Sequence, residues 1–165
     1  MEAKSGVETV PASTGSSSTV VGIEPAAVFA TLTDLAHLPA WNEKMVRVLA
    51  LPDRAEPGAE WVVEFAMFGR NWQSRSRVGI LDAVAHRFEY RTQTDDGNPS
   101  FTEWKWAVEP QGEGCRVSVS WDLHPLTFWR RAFLSHVRAL QLAHNEVPAS
   151  LAALAAMADR EQTPR

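Results

Sequence analysis

Tyr90 and His144 are the residues of this chain whose side chains suit proton transfer at a neutral substrate. An imidazole titrates near neutrality and can take or give a proton. A phenol beside it can donate to an enolate as charge develops there. Strand alternation puts Ser74, Ser76 and Thr102 on the same side as Tyr90, where their hydroxyls add orienting donors. Such a set serves proton transfer at a carbon beside a carbonyl whose oxygen is held by donors. Each member also has a plainer reading: a core-edge histidine bonded to backbone, and strand hydroxyls bonding locally.

Other chemistries lack their residues. His37, His86, His124, His136 and His144 show no paired spacing with carboxylates, and neither HExxH nor CxxC occurs, so no metal is expected. There is no glycine-rich phosphate loop and no Gly-x-Ser-x-Gly elbow, and Cys115 sits mid-strand, a poor place for a nucleophile. No cofactor is called for.

The elements that must position these groups follow from periodicity. From Lys44 to Leu123 the apolar period is two. Trp61 and Phe65 share one face with Val63 and Met67, and Gly69-Arg70 reads as a tight hairpin. Trp72 then faces with Ser74 and Ser76, Tyr90 with Phe88, Trp104 and Trp106 with Thr102, and Trp121 with Val117 and Val119. The opposite faces carry charges of both signs, which suits a meander packed on one side only.

The last stretch, Pro125 to Arg160, changes to helical spacing. Phe133, Val137, Leu140, His144, Val147, Leu151 and Leu154 fall along one stripe, with Arg138, Gln141, Asn145 and Glu146 mostly on the other side. Pro148 should kink this helix and remove one hydrogen bond. Ahead of the meander come a short strand near Thr19–Ile23, a helix opened by Pro25, and a helical turn ended by Pro39, with Trp41-Asn42 leading back to strand. Residues 1–18, rich in Ser, Thr, Ala and Gly, read as a flexible leader. The domain then runs 19–160, with a tail at 161–165.

Composition sets the remaining bounds. A chain of 165 residues suits one domain with one core. Its net charge of −4 argues against non-specific nucleic-acid binding. One cysteine makes no intrachain disulfide, the start of the chain has no apolar signal-peptide core, and no run approaches a membrane span. The expectation is a soluble cytoplasmic protein. Seven Trp against one Tyr is the unusual figure, fitting either a filled core or an aromatic-walled cavity.

Ile23-Glu24-Pro25-Ala26-Ala27-Val28-Phe29, Thr33-Asp34 and Leu38-Pro39-Ala40-Trp41-Asn42 carry a family likeness, joined by Pro57-Gly58-Ala59-Glu60-Trp61 and Gly114-Cys115-Arg116-Val117. Together they resemble the polyketide cyclase/dehydrase branch of the START-like (Bet v 1-like, SRPBCC) superfamily. The resemblance implies an α+β helix-grip fold, a seven-stranded antiparallel sheet around the C-terminal helix with a deep cavity between. It implies a hydrophobic, aromatic or polyketide-like ligand, held by a carrier or sequestering protein of natural-product metabolism, self-resistance included. The alternative that the resemblance implies is a polyketide cyclase/aromatase catalysing aldol closure and dehydration of a chain that arrives on an acyl carrier protein, for which Arg130-Arg131 is the adjacent basic pair. In either case the ligand-facing set is Trp41, Trp61, Phe65, Trp72, Tyr90, Trp104, Trp106 and Trp121 with the hydroxyls above, opposite Phe133, Val137, Leu140 and His144.

Overall fold

The computed structural model describes residues 11–127 and 135–162. Strand β1 (Ser13–Val21) leads into helix α1 (Pro25–Thr33), a 3-10 turn (Leu35–His37) and the short helix α2 (Leu38–Trp41). The meander is β2 (Met45–Ala50), β3 (Glu60–Met67), β4 (Arg70–Asp82), β5 (Arg87–Thr94), β6 (Phe101–Gln111) and β7 (Gly114–His124). Helix α3 (Ser135–Gln141), a π turn (Leu142–Glu146) and helix α4 (Val147–Gln162) follow. Among the described residues the seven strands form one antiparallel sheet in the order β1-β7-β6-β5-β4-β3-β2. The helices pack on its apolar face, which makes this an α+β helix-grip fold.

Strand β1 begins at Ser13, six residues earlier than composition suggested. Its nine residues pair with β7 without a break, from Ser13↔Leu123 to Val21↔Cys115. Glycine is required at position 15 because the Trp121 ring lies over it, where a β-carbon would overlap the ring. Backbone pairing and that close approach make a strand from residues whose polarity reads as a leader. The β3–β4 hairpin turns on Phe68-Gly69, one residue before the expected Gly69-Arg70, with Met67 paired to Arg70.

The outer face carries the expected cross-strand ion pairs: Arg47–Glu64 at 2.6 Å, Arg75–Asp95 at 3.1 Å, Arg91–Glu103 at 2.7 Å and Lys105–Asp122 at 3.0 Å. Exposed pairs of this kind contribute at most about 1 kcal/mol each. The inner face does the structural work at one end. Phe88, Val108, Val117 and Val119 are buried there against Val28 and Leu32 of α1 and Leu151 and Leu154 of α4.

The C-terminal helix departs from the simple stripe at its π turn. Pro148 has no N–H for the His144 carbonyl, and its ring crowds that carbonyl. The chain widens the preceding turn instead, so that the Val147 N–H bonds to the Leu142 carbonyl. Absorbing one extra residue rotates everything downstream by about 100° relative to an uninterrupted helix. Pro148 is thus accommodated by the widened turn ahead of it.

Candidate ligand cavity

Between the sheet and the helix lies a cavity of about 500 Å³. Its sheet wall comes from β3 to β7, because alternation aims Phe65, Trp72, Ser74, Tyr90, Thr92, Thr102, Trp104, Trp106 and Leu123 inward. Trp41 of α2 and Met45 of β2 close one side, and Val137, Arg138, Gln141, Glu146, Val147 and Ser150 form the helix wall. The rings are arranged in pairs. Phe65 and Trp72 stack at 5.8 Å and 10°, Tyr90 and Trp104 at 6.3 Å and 23°, while Trp41 meets Trp106 edge-on at 5.8 Å.

Nine of the fifteen residues expected at a ligand line this cavity: Trp41, Phe65, Trp72, Ser74, Tyr90, Thr102, Trp104, Trp106 and Val137. Trp61 and Trp121 face inward but lie beneath it, each 1% exposed. Trp61 backs the Tyr90 ring at 5.0 Å and Trp121 backs Trp104 at 6.1 Å, so both brace the wall without forming it. Ser76 is buried and spends its hydroxyl on Thr92 at 2.7 Å. Leu140 is 62% exposed. His144 is also exposed, carried outward by the π turn, and so is not positioned to shuttle protons in the cavity. Phe133 and the Arg130-Arg131 pair lie outside the described residues.

The same rotation brings in what periodicity placed outside. Arg138 and Glu146 stand about 80° apart on a plain helix, and the extra residue brings them within about 20°. Glu146 is 3% exposed and takes two guanidinium N–H groups of Arg138, one of them at 3.2 Å. A charge pair in an apolar wall survives because each partner satisfies the other. Gln141 donates its amide N–H to the Met67 sulfur. Among the described residues the histidine that reaches the cavity is His124, stacked on Phe101 at 4.4 Å and 3.6 Å from the Glu103 carboxylate.

Burial pushes the Tyr90 phenol above its ordinary pKa, and the negative charge of Glu146 pushes the same way. The Trp106 N–H offsets part of this without closing a hydrogen bond. Tyr90 is therefore held protonated, a donor and not a base. The Trp41 and Trp106 indole N–H groups and the Ser150 hydroxyl are buried with no hydrogen-bond partner among the described residues. The wall is thus apolar with surplus donors, and its strongest charges neutralise each other. Among the described residues no three His, Cys, Asp or Glu side chains group to hold a metal ion, and no helix is long and apolar enough to cross a membrane.

Comparison with known proteins agrees with this architecture. CV1439 from Chromobacterium violaceum superposes with a TM-score of 0.68 at 22% identity, over 88% of this chain and 96% of that one. The Zhui aromatase/cyclase from Streptomyces sp. R1128 gives 0.70 at 13%, over 92% and 96%. Norcoclaurine synthase of Thalictrum gives 0.69 at 13%, over 96% and 100%. At such identities the likeness speaks for the fold alone. No curated protein matches by sequence. Residues 14–158 match the family model for polyketide cyclase/dehydrase and lipid transport, so by nearly its whole length this chain belongs to that family.

Proposed function

We propose that the cavity binds a hydrophobic, flat aromatic or polyketide-like molecule, and that the protein acts as a cytoplasmic carrier or sequestering protein in natural-product metabolism, self-resistance included. The observation that carries this reading is the paired aromatic wall of Phe65, Trp72, Tyr90 and Trp104 around a volume of about 500 Å³. That size suits a small polycyclic ligand. Each aromatic pair formed with it is worth about 0.5–1.5 kcal/mol beyond burial. A binder needs no proton shuttle, and the wall supports that: His144 is outside, Tyr90 stays protonated, and Glu146 is engaged by Arg138. Titrating intrinsic fluorescence with fatty acids, quinones and aromatic polyketides tests the reading. Saturable quenching by the aromatic class is expected; a response only to fatty acids, or to nothing, would overturn it.

A second reading, a cyclase/aromatase acting on a chain delivered by an acyl carrier protein, is favoured by one observation. The Glu146 carboxylate on the helix wall and the Tyr90 phenol on the sheet wall line one cavity, and the charge of Glu146 disfavours ionisation of the phenol. Glu146 would then move the proton while Tyr90 holds the enolate oxygen. Under this reading Glu146→Gln abolishes turnover of a carrier-bound chain while binding persists. Equal turnover by the variant would eliminate it.

A further inference from the structure

The β3–β4 hairpin holds Phe68 at φ +53° followed by Gly69 at φ +72°. Positive φ at both central residues is the geometry of a type I′ turn, whose first position favours Asn, Asp or Gly. A bulky side chain there is a conformational outlier, disfavoured by its own β-carbon. His86 shares the left-handed geometry at φ +51°, but its ring packs on Phe29 at 5.3 Å, which offsets the cost. Phe68 has no such return. It is 79% exposed, and no aromatic pair among the described residues includes it.

The cavity explains what the turn forgoes. Phe68 borders its mouth together with Met67, Arg70, Val137 and Gln141, so an apolar ring stands at the entrance of an apolar chamber. Val137, half exposed, faces the same opening from α3. We infer that Phe68 is a ligand-contacting residue that closes the mouth, laying its ring over the outer edge of a flat aromatic ligand. The inference rests on the binding reading above, and it adds that the strained turn is retained for ligand retention at the expense of stability.

Stability and retention must then move in opposite directions on one substitution. Phe68→Asn restores the preferred turn residue and removes the ring. Thermal unfolding and stopped-flow dissociation of anilinonaphthalene sulfonate, excited through the tryptophans, measure the two effects. The variant should melt about 2 °C higher and release the dye about 2- to 10-fold faster. Phe68→Leu keeps the strained turn and should melt like the parent while still releasing faster. Unchanged dissociation from both variants, with the parent binding the dye, overturns the inference and leaves the cavity reading standing. A lower melting temperature for Phe68→Asn overturns the claim of a retained strain. No binding by the parent brings down the cavity reading itself.

Discussion

The two ends of the sheet are built on one alternation and put to opposite uses. At the α1 end, Phe88, Val108, Val117, Leu32 and Leu154 fill the space between sheet and helix and are all at most 1% exposed. At the other end, one step along the same strands, Tyr90, Trp104 and Thr102 face a void, and the helix offers Arg138, Gln141 and Glu146 instead of leucines. The packed end carries the stability, and that allows the open end to leave volume unfilled and indole N–H groups unpaired. Perturbing each end should therefore give a different signature.

The largest effect belongs to the packed end. Leu154→Ala removes a fully buried side chain and should cost about 3 kcal/mol in denaturant unfolding, with ligand affinity of the folded protein unchanged; a loss of affinity would mean the ends are not separable. Next comes the helix wall of the cavity. Glu146→Ala strands the partly exposed Arg138 and should cost about 2 kcal/mol, less than a fully buried pair would. The single variants Arg138→Met and Glu146→Leu should each destabilise, the double variant Arg138→Met/Glu146→Leu should recover most of that loss, and additive losses in this cycle would show the pair is not coupled.

Tyr90 gives a pH test that only the open end can pass. Its folded pKa is raised, so it contributes fully below the unfolded value of about 10 and increasingly less as pH climbs above it. Stability should fall there by no more than about 1.4 kcal/mol per pH unit from this group, and Tyr90→Phe should flatten the fall. Because Tyr90 is the only tyrosine, the tyrosinate absorbance reports it alone. Its appearance at about pH 10 in the folded protein would contradict the buried, donor-only phenol. The smallest effect lies on the outer face, where Lys105→Met should change stability by less than about 0.5 kcal/mol and leave binding untouched.

How much of this was legible in the chain differs between strand and helix. A period of two is hard to disturb, so Trp72, Ser74, Tyr90, Thr102, Trp104 and Trp106 were placed on the correct wall from alternation alone. Alternation assigns a face but not a depth, which is why Trp61 and Trp121, correctly turned inward, lie below the cavity and not in it. The helix wall departs from the simple stripe because one absorbed residue at Leu142–Glu146 turns His144 out and Glu146 in. Pro148 is the available signal: it predicts a break in the helical hydrogen bonding without saying that the turn ahead absorbs an extra residue. The start of strand β1 is not legible because its serines are held by backbone pairing and its Gly15 by the ring of Trp121, its partner on the neighbouring strand more than a hundred residues away.

The proposed function puts the ligand in the void at the open end. Thr102 pairs with Thr92 and Leu123 in the middle of that wall, and an aromatic side chain suits its strand. Calorimetric titration of the parent and of Thr102→Phe with the same aromatic ligand measures the claim directly. The parent should bind one-to-one, and the variant, still folded and unfolding cooperatively, should not bind. Equal affinity in both proteins would place the ligand elsewhere and contradict it.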